Sequence, residues 1–295
     1  MKKVFAVFRF LLFFIAITQT TTAQDSFDSV QIKTIKITES IYMLEGAGGN
    51  IGVLAGKDGI VLIDDQFAPL SEKIKAALQA ISDKPVRFVI NTHFHGDHVG
   101  GNENFGGEGA IIVAQENSRQ RMTTDQFAAA FNSVQKAAPY DALPKVTFTE
   151  SVTLHLNGET VQVLHVKNAH TDGDAIIYFK ESNVIHAGDV FVRYGLPFID
   201  QEHGGGIDGM IEGNEKLLAI ANDNTKIIPG HGDLASKKDL LEFKNMLVKI
   251  REIIATAMKQ GKTLEQIVAA DPLKDYPAVF ERKEFIKTVY DSLKK

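Results

Sequence analysis

From Thr92 to His98 the chain reads Thr-His-Phe-His-Gly-Asp-His, which packs His93, His95, Asp97 and His98 into six positions directly behind the apolar run Val86-Arg87-Phe88-Val89-Ile90. Imidazole and carboxylate are the donors that Zn²⁺ and similar ions take, and four on one loop exceed what a single tetrahedral ion can draw from it. Two neighbouring ions are therefore expected. After a strand, His93 and His95 can point to one side, while a turn eased by Gly96 swings Asp97 and His98 towards a second position. The competing reading is a chance cluster on a solvated loop, since the chain holds nine histidines; the ordered spacing behind a buried-strand signal speaks against it.

Three more donors end strand-like segments. Val161 to Val166 leads to His170, Asn183 to Gly188 leads to Asp189, and Lys226 to Gly230 leads to His231. Ligands on loops that leave rigid strands are held in place yet stay open to substrate. Two ions about 3.5 to 4 Å apart lower the pKa of water held between them and so supply hydroxide at neutral pH, with no serine or cysteine nucleophile required. A carbonyl polarised by one ion, and a leaving nitrogen, oxygen or sulfur stabilised by the other, complete a hydrolysis.

In this order, the His-x-His-x-Asp-His segment, His170, the Gly188-Asp189 pair and Pro229-Gly230-His231-Gly232 resemble the metallo-β-lactamase superfamily of metal hydrolases, over about residues 35 to 235. Asp64, closing Val61-Leu62-Ile63-Asp64, matches the family's early aspartate. The resemblance implies that His93, His95 and His170 hold one zinc and that Asp97, His98 and His231 hold the other. Asp189 would bridge them, and Asp97 would also orient the hydroxide. It further implies an α+β fold, the four-layer αβ/βα sandwich, here with extra C-terminal helices. The subclass of β-lactamases that ligates zinc through cysteine is not represented, because the chain has no cysteine. Asp189 stands at that strand end, as in glyoxalase II and the dinuclear lactonases, and His98 is kept as well. Iron-based redox members typically place glutamate where His95 stands, which disfavours that chemistry here.

Residues 1 to 23 carry Lys2, Lys3 and Arg9, then an apolar stretch from Phe10 to Ile17, then Thr21-Thr22-Ala23. This reads as a secretory signal peptide cut before Gln24, the apolar run being short for a stable membrane span. An uncleaved anchor is the competing reading. The chain from 24 to 295 is then expected to be one domain, periplasmic or secreted, without a membrane anchor. Losing three basic residues moves the formal net charge from −5 to −8, and so acidic a protein is not expected to bind nucleic acid. With no disulfides possible, stability must come from core burial and bound metal.

The strands that must position the donors are legible as apolar segments. Ile32 to Ile37, Ile41 to Leu44, Ile51 to Leu54 and Ile60 to Ile63 read as antiparallel strands, with Lys57-Asp58-Gly59 a hairpin turn. Pro69 to Ile81 switches to helical period before the strand Val86 to Ile90. A second half repeats the plan with strands at 152–156, 160–166, 175–179 and 184–187, a helix near 208–221 and a strand at 226–228. Two such halves with facing sheets, outer helices and metals at a shared edge are expected. Gln115 to Pro144 reads as helix-prone, with Phe127 and Phe131 on one face, and residues 191–209, with Gly204-Gly205-Gly206, as either a mobile flap or a close backbone approach to ligand. Residues 236–295 read as structural helices.

Asp64 is expected to orient a ligand histidine, with Thr171 and Asp174 in similar roles. His155, His165 and His186 read as structural. Arg193 and Tyr194, just after Asp189, are candidate substrate contacts, Arg193 as a partner for a carboxylate, and His203 is a further candidate. Export favours small-molecule substrates met outside the cytosol. The expected function is an exported dinuclear zinc hydrolase that opens a cyclic amide or ester, with β-lactams first. The alternatives are a thioesterase or lactonase of glyoxalase II type and a secreted metal-binding protein without turnover.

Overall fold

The computed structural model describes residues 27–128 and 132–294. The expected signal peptide therefore lies outside the described residues, as does Phe131. Strands β1 (Lys33–Lys36), β2 (Ile41–Glu45), β3 (Ile51–Gly56) and β4 (Gly59–Ile63) run antiparallel in sequence order. The sheet then continues in parallel through β5 (Val86–Ile90), β6 (Ile111–Gln115) and, after a separate hairpin of β7 (Gln126–Ala128) and β8 (Ser133–Gln135), β9 (Val146–Phe148). A second sheet joins β10 (Ser151–Leu156), β11 (Glu159–Val166), β12 (Asp174–Phe179) and β13 (Val184–His186) antiparallel, with β14 (Lys226–Ile228) parallel at its edge.

Period-2 alternation makes these sheets two-faced. In β4, Val61 and Ile63 point into the space between the sheets, with Ile90, Val113, Val163, Ile177 and Ile228. Ile60 and Leu62 point the other way, against Ile74 and Leu78 of the helix Ser71–Ile81. The second sheet buries Ile176, Ile185 and Ile227 under the helices Ile207–Ile220, Lys237–Lys259 and Arg282–Ser292. Helix, sheet, sheet and helix thus stack in four layers, the α+β sandwich expected above. Among the described residues no helix is long and apolar enough to cross a membrane.

Two segments depart from expectation. Among the described residues of the helix-prone stretch, only Glu116–Met122 is α-helical, with a 3-10 turn at Tyr140–Ala142. Thr123 ends it, Asp125 accepts hydrogen bonds from Ala137 N and Lys136 Nζ, and this closes a hairpin in which Phe127 pairs with Val134. A side-chain ladder from a turn aspartate outcompetes weak helical periodicity here. Strand β6, legible afterwards in Ile111-Ile112-Val113-Ala114, was not among the expected strands, nor was β9. Its residues are almost all buried because it is flanked by neighbours on both edges.

Candidate metal centre

The candidate ligands gather at one end of the sandwich, on loops that follow β5, β11, β13 and β14. Their positions start from Asp64, which follows β4 in a left-handed conformation, φ 63°. That geometry costs a non-glycine residue about 1 kcal/mol and is kept because the buried carboxylate makes three hydrogen bonds. It accepts from Thr92 N and Thr92 Oγ1, each at 2.7 Å, and pairs with His98 Nδ1 at 2.8 Å. One side chain thereby holds the start of the ligand loop and the ring of His98.

Around the first position, His95 Nδ1 lies 3.1 Å from His93 Nε2 and 2.9 Å from His170 Nε2. Around the second, His231 Nε2 lies 3.2 Å from Asp97 Oδ2 and 3.4 Å from His98 Nε2. Asp189 stands between the two, with Oδ1 3.2 Å from His98 Nε2 and Oδ2 3.5 and 3.6 Å from His231 and His170 Nε2. The triads His93-His95-His170, Asp97-His98-His231 and His93-His98-Asp189 each bring their donor atoms within 4.8 Å of one another. All seven expected ligands are thus brought together.

These residues fit a pair of cations. Ring nitrogens converge on one another although not all of them can donate, and Asp189 Oδ1 is buried without a hydrogen-bond partner despite its approach to His98. Lone pairs aimed at a common point are what a divalent ion requires. Backbone without side chains makes the convergence possible. A Cβ on Gly230 would fall 1.9 Å from Asp189 Oδ1, and one on Gly49 would fall 2.1 Å from His98 Cε1. The loop that bears Gly49 also donates Gly49 N to Asp97 O and Asn50 N to Gly230 O. Nothing in the sequence reading singled out this loop, although its run of small residues, Gly46-Ala47-Gly48-Gly49, was the available signal.

The outward nitrogens of His93, His95 and His170 are also occupied. His93 Nδ1 meets Thr92 Oγ1 at 3.0 Å, and His170 Nδ1 donates to Phe198 O at 2.9 Å. His95 Nε2 meets Asp200 Oδ2 at 2.8 Å, and the same oxygen meets His203 Nδ1 at 2.6 Å. Asp200 was not singled out from sequence, because 105 residues separate it from His95. His203 is buried in this chain of contacts, so the reading of it as a substrate contact is corrected: it braces Asp200. Asp174 supports the turn that presents His170, accepting from His170 N, Thr171 N and Thr171 Oγ1. His165 and His186 are buried against backbone carbonyls of Asp174 and Asn50.

Electrostatics divide the centre. Burial drives His93 far below the ordinary imidazole range and His170 down to about 4, so both are neutral donors. In the second set, burial is outweighed by carboxylates: Asp97, Asp189 and Asp64 raise His98 well above its usual range, and Asp189 and Asp97 raise His231 to about 9. The same attractions overcome burial to hold Asp97 down at about 2 and Asp189 well below the usual carboxylate range. Without metal, protons on His98 and His231 balance the carboxylates; a cation there must displace them.

The expectation for Arg193 also changes. The Arg193 guanidinium donates to Leu234 O at 3.0 Å and to Asp239 Oδ1 at 3.2 Å, so it anchors the helix that begins at Lys237 rather than waiting for a substrate carboxylate. The Tyr194 hydroxyl accepts from Phe198 N at 3.3 Å, while its ring packs 5.8 Å from that of His231. The glycine triplet is a close backbone approach to the ligand loop: a Cβ on Gly205 would sit 2.3 Å from His170 O, and Gly206 N donates to Ala169 O.

Two facing sheets clad by helices, with a histidine and aspartate cluster at their edge, define a protein class that carries a candidate metal centre. The chain belongs to the metallo-β-lactamase superfamily, whose family model matches residues 44–231. It is 23% identical to a linear primary-alkylsulfatase from Pseudomonas sp. over 82% of this chain and 53% of that protein, so it spans about half the length of that relative. It is 23% identical to the metallo-β-lactamase IND-1 of Chryseobacterium indologenes over 70% of this chain and 86% of that one. Among solved structures, a metallo-β-lactamase from Pontibacter korlensis superposes with a TM-score of 0.60 at 19% identity, covering 74% of this chain and 99% of that one.

Proposed function

We propose that the protein is an exported, dinuclear zinc hydrolase that opens a cyclic amide or ester, with β-lactams as the first substrates to test. The observation that carries this reading is the convergence of seven donors into two adjoining sets, one of imidazoles and one rich in carboxylate. Zinc bound there would lower the pKa of water and polarise the scissile carbonyl. His93, His95 and His170 would hold one ion, Asp97, His98 and His231 the other, and Asp189 both. Asp97, on the partly open side, would orient the attacking hydroxide as well as ligate. Asp64, Thr92 and Asp200 keep the rings in register.

Hydrolysis of an alkyl sulfate ester is the second reading, favoured by the match to an alkylsulfatase along 82% of the chain. Thioester and lactone substrates remain the alternatives suggested by Asp189. The test is hydrolysis of a β-lactam, an acyl-homoserine lactone, a thioester and an alkyl sulfate, with and without added Zn²⁺, beside metal analysis. Zinc-dependent turnover of the β-lactam with two ions per chain is expected. One ion per chain, or activity that survives strong chelation, overturns the mechanism. His95→Ala should abolish turnover.

A further inference from the structure

His95, Asp97 and His231 keep partial solvent access, so the centre opens above them. One flank of that opening is aromatic. The Tyr194 ring lies 5.8 Å from the ring of His231, and the Phe198 ring lies 6.1 Å from His95 and 5.8 Å from His170. Phe280 links them, its centroid 6.1 Å from Tyr194 and 5.9 Å from Phe198, with 43% of its surface exposed. It arrives from the C-terminal segment between the helices Leu264–Ala270 and Arg282–Ser292, a region read from sequence as structural only.

Backbone contacts set this approach. Leu196 N donates to Pro277 O at 2.9 Å, and at Gly195, φ 102°, a Cβ would fall 2.2 Å from the same oxygen. The loop behind Asp189 and the C-terminal segment are thereby clamped together, which holds Phe280 over the rim independently of its own ring contacts. The cation of this loop, Arg193, is engaged with Asp239 and offers no charge to the wall.

We propose that Tyr194, Phe198 and Phe280 form a wall that receives an apolar substituent next to the scissile bond, with Phe280 as a specificity-determining residue. This rests on the metal-hydrolase reading above and narrows it to amides or esters that carry an aryl or bulky alkyl group. A ring laid against the wall leaves water and gains edge-to-face packing. A small polar substituent gains neither.

The test uses the zinc-loaded full chain and two thiols that ligate zinc alike, 2-phenylethanethiol and 2-mercaptoethanol, with binding followed by calorimetry. The phenyl compound is expected to bind about tenfold more tightly to the native protein. In Phe280→Ala that ratio should fall to about twofold, and Phe280→Leu, which keeps an apolar side chain, should retain most of it. Equal affinities in the native protein overturn the wall. So does an unchanged ratio in Phe280→Ala with native circular dichroism and zinc content. If neither thiol binds the zinc-loaded protein, the open metal centre itself is refuted and the wall with it, an outcome distinct from loss of the ratio alone.

Discussion

Replacing Asp200 with asparagine isolates one support of the centre. In the native chain Asp200 Oδ2 takes His95 Nε2 at 2.8 Å and His203 Nδ1 at 2.6 Å, while Oδ1 accepts His203 N at 3.2 Å. An amide removes the charge and, in either orientation, turns its NH2 towards at least one of these donors. The shape is conserved, so no cavity contributes to the effect. Losing the outer partner of a ligand imidazole costs about 10- to 100-fold in metal affinity, or about 1.4 to 2.8 kcal/mol. Titrating the metal-free Asp200→Asn protein with Zn²⁺ against a chromophoric chelator should show one binding step weakened by about that factor. The step at Asp97, His98 and His231 should move by less than about threefold, since the Asp200 carboxylate engages His95 and His203. Two unchanged steps would refute the idea that Asp200 positions His95.

The remaining predictions concern space, protons and charge. Gly49→Ala should expel zinc from the second position and lower kcat by about 100-fold, because its Cβ meets the His98 ring and a shift of about 1 Å suffices for such a loss; Gly158→Ala, with φ 82° and no atom within 4 Å of its Cβ, should cost only modest stability. Thermal melts of the metal-free protein should fall as pH rises above 6.5. The stabilisation from His231, fully present below 6.5, is lost as pH rises through about 9, and Asp174, which stays protonated in the folded chain up to about 8 while the unfolded chain has lost that proton, removes stability as pH climbs towards 8. A flat profile from pH 6.5 to 9 would contradict both assignments. Added zinc should stabilise more at pH 8.5 than at pH 6.5, as fewer protons compete for His231. Arg193→Ala should leave KM for carboxylate substrates unchanged and reduce stability by at most about 1 kcal/mol, the pair with Asp239 being about one-third exposed; a rise in KM confined to anionic substrates would restore it as a substrate contact.

Much of the centre was legible because its chemistry is local in sequence or repeats a local plan. His93, His95, Asp97 and His98 share one loop, and His170, Asp189 and His231 each follow a recognisable strand, so donor type and strand period together named the set. Asp64, which follows β4, was legible through the resemblance to the family's early aspartate. Residues 126–135 misled, since Phe127 suits a helical face as well as a strand and the deciding contact, Asp125 to Ala137, spans a turn.

What the sequence determined by itself was the inventory: which donors exist, which strands carry them, and the apolar segments that build two sheets. Tertiary structure alone decided which carboxylate stands behind which imidazole, that Asp200 reaches His95 while Arg193 binds Asp239, and that Phe280 reaches the rim. The physical reason is range. Periodicity and donor chemistry act between neighbours in the chain, whereas hydrogen-bond partners and ring contacts depend on distances of a few ångströms between segments tens to hundreds of residues apart, which only the packed fold defines.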